Sequence, residues 1–397
     1  MNRRVVIYVF LIVVLLSFSI VGTSCDFIKG ATPNTPSTKL EGGLPPEFGI
    51  LTEALNTLSE TYVDKGKLDL QKLSQGAVKG MLEAVGDPYT GYVNPESHKE
   101  EMASFAGKFE GIGAVLGVSE GQLVIVSPFS DSPAEKAGIK AGDKIMKVDD
   151  QPASKMTPVE ASQKIRGKAG TSVKLLVQHQ GDTELIEIEI VRAEIPLESV
   201  LLEMRGDIAY IRITQFLQTT GADLQKNLRD AIGKGAKGVV LDLRNNPGGI
   251  LDGAVDVTSQ FLLRGIVVEV VDGEGMHGQL RVKSGGVATN VPLILLVNGG
   301  SASASEIVAG ALQDSGRAKL AGSKTYGKGS VQRIINLSDG SGLHITTAHW
   351  FTPNGRPIDG VGITPDFPLE LEGDKLVDWA IDYLKSQVTA ELVPASV

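Results

Sequence analysis

From Glu47 onward the hydrophobic pattern changes period twice. Phe48, Leu51, Leu55, Leu58 and Tyr62 recur every three or four positions, and Leu73, Ala77 and Met81, with Leu82 beside the last, form a second stripe, so two or three amphipathic helices are predicted over 47–104. Asp87-Pro-Tyr-Thr-Gly91 interrupts them as a turn, because proline removes a donor and glycine tolerates positive φ. From Gly107 the texture becomes short strands set between glycines, at 111–117, 122–126, 141–149, 172–177 and 184–191. Beyond 194, strands at 207–213, 238–243, 266–271, 292–297, 331–337 and 343–351 are interleaved with helical patterns at 219–234, 251–263 and 304–314. That alternation predicts layered α/β structure, and no repeat of 20 to 50 residues is visible. The predicted fold is a multidomain α/β chain. Its helical segment spans 47–104, a β-rich module 105–193 and a layered core 194–385, with a C-terminal tail at 386–397.

With 397 residues, 42% of them apolar, the chain can bury more than one core. Its net charge is -9 and no block of Lys and Arg follows Arg4, which argues against nucleic acid as a partner. Met1-Asn-Arg-Arg4 and the apolar run at 5–20 form a charged and then a hydrophobic region, the pattern of an export signal over 1–25. The run is short for a free-standing membrane helix but can serve as an uncleaved anchor. Cys25, the single cysteine, follows it where bacterial lipoproteins are acylated, although Gly22 is a poor match to that signal. Cleaved signal, anchor and lipid anchor all stay open, each placing the protein on the extracytoplasmic side of the membrane or beyond it. Residues 26–46, rich in Thr, Pro, Ser and Gly, read as a flexible linker. One cysteine excludes an internal disulfide, and no His, Cys or acidic cluster has metal-ligand spacing, so neither metal nor cofactor is expected.

The densest chemistry lies in Asn298-Gly-Gly-Ser-Ala-Ser-Ala-Ser-Glu306, where a strand ends and a helix begins. Amides at a helix N-terminus lack partners and suit an oxyanion, but serine is equally a preferred helix cap. A nucleophilic serine needs a base. His98, His179, His277, His344 and His349 all sit in patterns that suggest solvated faces. Lys328, between Gly327 and Gly329, is the other candidate, and its pKa must fall from about 10.4 by burial before it can accept a proton. It is not a phosphate-binding loop, because Gly329 stands where Ser or Thr would follow the lysine.

Residues 105–193 carry Ser132-Pro-Ala-Glu-Lys-Ala-Gly138 and Ala141-Gly-Asp-Lys-Ile145, and resemble a PDZ domain of the bacterial, circularly permuted kind. The resemblance implies an extended peptide added as a strand, its terminal carboxylate held by the amides of Gly111, Ile112, Gly113 and Ala114.

Taken with Leu243-Arg-Asn-Asn-Pro-Gly-Gly249, Tyr326-Gly-Lys-Gly-Ser-Val-Gln332 and Thr352-Pro-Asn-Gly-Arg-Pro-Ile-Asp-Gly360, the serine motif resembles the carboxy-terminal processing peptidases, or tail-specific proteases. The resemblance covers about 47–385 and implies a crotonase- or ClpP-like core with Ser303 as nucleophile, Lys328, 25 residues on, as base and Gln332 orienting that lysine. Gln332 would take the lysine with its amide oxygen and meet the backbone with its NH2. The oxyanion hole would be the amide of Ala304 with that of Gly248 or Gly249, leaving Ser301 to cap the helix and Ser305 to its first turn. Arg166 becomes a candidate relay between PDZ domain and core. The implied partners are proteins or peptides with exposed apolar C-termini, the membrane through the N-terminus, and a second copy through the stripes at 47–104 and 376–384. The alternatives are a silent PDZ scaffold of the cell envelope and, last, a crotonase-type enzyme, for which no acyl-CoA pocket signature is found.

Overall fold

The computed structural model describes residues 44–119, 122–129, 131–156 and 158–391. The expected export segment with Cys25, and the linker up to residue 43, lie outside them. The chain forms two compact units that divide between Ser74 and Gln75. In the first, helix α1 (Gly49–Thr61) buries none of its residues, and Leu51 and Leu55 are exposed. The second unit begins inside α2 (Leu70–Glu83) and already contains β1 (Gly91–Val93) and α3 (Pro95–Phe105). The turn before β1 is held by Asp87, whose carboxylate accepts from the Tyr89 amide and the Thr90 hydroxyl. Asn94 caps α3 by accepting from the Ser97 amide, and Pro95 opens it, where a missing N–H costs nothing.

The β-rich module contains β2 (Lys108–Gly111), β3 (Ala114–Ser119), β4 (Gln122–Pro128), α4 (Pro133–Lys136), β5 (Lys144–Val148), β6 (Gln151–Pro152), α5 (Pro158–Ile165), β7 (Ser172–Gln178), β8 (Ile186–Val191) and β9 (Ala193–Pro196). Strands β3-β4-β5-β7-β8 form one antiparallel sheet with β6 on β5, and β2 pairs with β9. Val173, Leu175 and Val177 alternate inward along β7 onto Ile125, Ile145 and Ala161, so the period-two pattern in the sequence is a half-buried sheet.

The core opens with the hairpin β10 (Val200–Arg205) and β11 (Ile208–Ile213), followed by α6 (Thr220–Gly233), β12 (Gly238–Asp242) and α7 (Leu251–Ser259). The chain continues through β13 (Ile266–Asp272), β14 (His277–Arg281), β15 (Leu293–Val297), α8 (Ala304–Asp314), β16 (Lys319–Gly322), β17 (Ser330–Asn336), β18 (Gly342–Phe351), β19 (Phe367–Pro368) and α9 (Asp374–Glu391). One sheet runs β10-β11-β12-β15-β16-β19, parallel from β11 on. Every residue of β12 and β15 is buried, as expected of strands covered on both faces, and each apolar side chain so buried contributes about 1.5–3 kcal/mol. Helices α6, α7 and α8 pack one face and α9 the other. Leu376, Val377, Ala380, Ile381 and Leu384 are all buried against that sheet, so the C-terminal stripe expected to serve a dimer is core packing. A second sheet, β1-β18-β13-β14 with β17 on β18, stands beside the first.

Three histidines expected on solvated faces are instead buried or partly buried tethers. His98 is 5% exposed and its Nε2 lies 2.7 Å from Asn336 Oδ1. His179 Nδ1 is 2.7 Å from the buried Asp143 carboxylate, and His344 Nε2 is 2.9 Å from Glu101. Each pairs partners 36 or more positions apart in the chain, which a local pattern cannot reveal.

Candidate active site

Strand β15 delivers the chain to Asn298, and α8 begins at Ala304. Between them Ser303 occupies φ 54°, ψ -113°, a conformation that costs a residue with a Cβ roughly 1–3 kcal/mol. Glu306 holds it there. The Ser303 amide donates to Glu306 Oε2 at 2.9 Å, and the Ser303 carbonyl accepts from the amides of Glu306 and Ile307 at 2.8 and 3.0 Å. Glu306 itself is fully buried. Its Oε2 also accepts from the Lys328 amide at 2.9 Å, while Oε1 accepts from the Gly327 amide at 2.6 Å and the Thr325 hydroxyl at 2.5 Å. Four donors and the positive end of α8 thus compensate a carboxylate that burial alone would make costly. One oxygen joins the amide of Ser303 to that of Lys328. Glu306 was missed at the sequence level, although Ser303-Ala-Ser-Glu306 is a capping-box pattern that points to a carboxylate reaching back.

Lys328 is half-buried, and that burial lowers its pKa. Its Nζ lies 5.0 Å from the centroid of the Tyr89 ring and, among the described residues, has no hydrogen bond or ion pair. The flanking Gly329 meets the turn after β18 so closely that a Cβ there would fall 2.1 Å from the Asp359 nitrogen. Gly329 also donates to Asp359 Oδ1 at 3.0 Å. Gln332, on β17, is placed differently from expectation. Its NH2 donates to the Ser330 and Thr346 hydroxyls, at 2.8 and 3.4 Å, and not to backbone. No hydrogen bond joins Gln332 to Lys328 among the described residues.

The loop after β12 packs onto Ser303 through Asn246, another fully buried polar residue the motif reading passed over. Its Nδ2 donates to Ile213 O and its Oδ1 accepts from the Gly248 amide, both at 2.9 Å; its carbonyl accepts from the Ala302 amide at 3.0 Å and the Ser305 hydroxyl at 2.9 Å. A Cβ on Gly248 would sit 2.9 Å from Ser303 Cβ and 3.1 Å from Ala304 N, so only glycine fits the contact. Gly248 spends its N–H on Asn246 and its carbonyl on the Phe216 amide at 2.9 Å. In a trans peptide the Gly249 N–H points opposite to that carbonyl, away from Phe216. Among the described residues neither Gly249 N–H nor Ala304 N–H has an acceptor. Of the other two serines, Ser301 departs from expectation: it does not cap α8 but bonds Leu243 O at 2.8 Å and the Asn298 amide at 3.0 Å, whereas Ser305 lies in the first turn as expected and from there donates to the Asn246 carbonyl.

In the PDZ-like module, Ile112, Gly113, Ala114 and Leu116 line a cavity of about 570 Å³ that is also bordered by Arg166, Glu100 of α3 and Gln215 of the core. The amides of Ile112 and Gly113 have no acceptor among the described residues, while Gly111 lies in β2 and Ala114 opens β3. Arg166 stacks over Phe109 at 5.3 Å, and Phe109 meets Phe129 edge-on at 6.3 Å.

Residues 207–369 match Peptidase family S41, residues 124–179 match a PDZ domain, and residues 29–97 match the N-terminal domain described for the activating protease CtpB. The carboxy-terminal-processing protease of Bartonella bacilliformis is 42% identical over 329 residues, covering 81% of this chain and 74% of that protein. The carboxy-terminal processing protease CtpA of Bacillus subtilis is 39% identical, covering 82% and 69%. A putative S41 protease of known structure from Bacteroides fragilis, 15% identical, superposes with a TM-score of 0.54 over 87% of this chain and 98% of its own, a likeness of fold.

Proposed function

The chain belongs to peptidase family S41, the carboxy-terminal processing peptidases, and from that premise we propose that it is an exported endopeptidase in which Ser303 attacks the peptide carbonyl and Lys328 is the base. It is a serine-type peptidase with a PDZ domain, so a silent scaffold and a crotonase-type enzyme are set aside. The observation that carries the assignment within the site is Glu306, whose Oε2 takes the amides of both Ser303 and Lys328 and so fixes nucleophile and base loop to each other.

In the proposed reaction neutral Lys328 leaves the face of Tyr89 and accepts the Ser303 proton as Oγ bonds to the carbonyl carbon. The negative oxygen is held by the amides of Ala304 and Gly249, the two left without acceptors; Gly248, already bonded to Asn246, takes the supporting part. The lysine ammonium returns the proton to the leaving amine, and water, deprotonated by the same lysine, releases the acyl group. Gln332, with its NH2 occupied, keeps its amide oxygen for the lysine. Ser303→Ala and Lys328→Ala should each abolish β-casein cleavage with the fold intact by circular dichroism. Turnover retained in Lys328→Ala would remove lysine from the mechanism.

The PDZ groove selects apolar C-terminal tails, the free amides of Ile112 and Gly113 receiving the carboxylate, and Arg166 carries occupancy to the core through the cavity wall it shares with Gln215. The protein acts at the extracytoplasmic face of the membrane, held by the segment at 1–25 or by acylated Cys25; palmitate labelling with a Cys25→Ser control distinguishes these. The exposed Leu51 and Leu55 of α1 are the surface for a homodimer.

A further inference from the structure

A second cavity, of about 970 Å³, opens at the carboxyl ends of β11, β12 and β15. It lies on the α9 side of the sheet: Ile208 and Tyr210 of β11 pack with α9, Ala209 and Ile211 with the opposite face, and alternation puts Arg212 with the former. In open α/β sheets this end of the strands is where ligands bind. Two arginines line the cavity and they differ in kind. Arg244 is committed, donating through Nε and Nη2 to Asp242 at 2.9 and 2.6 Å and through Nη1 to the Gly373 carbonyl at 2.9 Å. Arg212 has no hydrogen bond or ion pair among the described residues, and its Nε is sealed from solvent with no acceptor.

The sealed Nε shows that the guanidinium is bonded to nothing among the described residues, and its Nη groups, equally without an acceptor there, are the donors left for an anion in the cavity. Glu370 and Glu372 also line the cavity but are exposed, and neither is paired with Arg212 among the described residues. Val297, Leu369, Leu371 and Leu376 supply apolar walls. We propose that this cavity binds a small oxyanion, a carboxylate on an apolar residue or a phosphate, on the Arg212 guanidinium. The planar fork suits two oxygens at once, and the apolar walls favour an organic carboxylate. The site is distinct from Ser303 and from the PDZ groove. Its occupant abuts the turn at 298–300, where Asn298 and Asn245 are bonded at 2.9 Å, one residue before Asn246 and a few before Ser303.

The test titrates the whole chain, inactivated by Ser303→Ala, with inorganic phosphate, N-acetyl-leucine and uncharged N-acetyl-leucinamide by calorimetry, beside the same protein with Arg212→Gln. Binding of an anion that Arg212→Gln weakens by about tenfold or more, with none of the amide, is expected from losing a charge-assisted pair. Phosphate binding would identify an inorganic ligand, and N-acetyl-leucine alone a peptide-like one. Carboxylate binding unchanged by Arg212→Gln belongs to the PDZ groove and overturns the proposal, as does no binding. If Arg212→Gln does not fold, the rim variant Glu370→Gln/Glu372→Gln decides: it should tighten the anion by about threefold by removing like charge, and unchanged affinity overturns the site.

Discussion

Around Ser303 the buried polar atoms are almost all partnered, whereas the PDZ groove leaves its amides open. The Glu306 carboxylate accepts four hydrogen bonds, and Asn246 makes two through its side chain and two through its carbonyl, both residues at zero exposure, and between them they lock three loops from distant parts of the chain. The groove is lined instead by one guanidinium stacked on a ring and by backbone amides that await an acceptor. The first region stores strain, in the φ of Ser303, and can do so only because neighbours over-determine it. The second must stay incomplete in order to bind. Catalytic geometry is thus set by the saturated bonding of Glu306 and Asn246, while the amides left open, those of Gly249 and Ala304 at the site and of Ile112 and Gly113 in the groove, are the ones that can take a substrate oxygen.

The largest expected effect on this contrast comes from Glu306→Ala, which would leave four buried donors without an acceptor. It should lower stability by about 3–5 kcal/mol, read by urea denaturation, and abolish activity. Glu306→Gln is the sharper test, since an NH2 must face backbone amides; activity within twofold of wild type would show that the clamp does not matter. Next is pH. Burial lowers the Lys328 pKa, so the base is protonated below that value and neutral above it, and kcat/KM should rise with pH through a point below the ordinary lysine value of about 10.4. A profile that is flat there and rises only near that ordinary value would deny the lysine its role. On the groove side, Arg166→Ala should raise KM for a substrate with an apolar tail by roughly fivefold and leave untailed substrate alone, given a cation–π contact of about 0.5–2 kcal/mol. Equal kinetics on both substrates would sink the relay. Smallest are Ser301→Ala and Ser305→Ala, each removing a buried hydroxyl bond for about 1 kcal/mol of stability while kcat keeps most of its value.

Much of the architecture could be read from periodicity. The uninterrupted apolar runs of β12 and β15 and the alternation along β7 each predict their own burial. Helix α9 was misread because an amphipathic stripe has the same appearance whether a sheet or a second subunit covers it. The three tethered histidines were misread for a related reason: their partners come from other elements.

The sequence alone determined the order of the modules and the motifs at 243–249, 298–306 and 326–332, because turn chemistry and strand burial are local properties. Only the tertiary structure decided which polar atoms in those motifs are already spent. Ser301 and Ser305 brace other loops, Gly248 gives its N–H to Asn246 while Gly249 keeps its own, and the glutamate after three serines joins a helix to a loop about twenty positions on. A hydrogen bond has one donor and a direction, and a chain shows which groups are present without showing which of them have met.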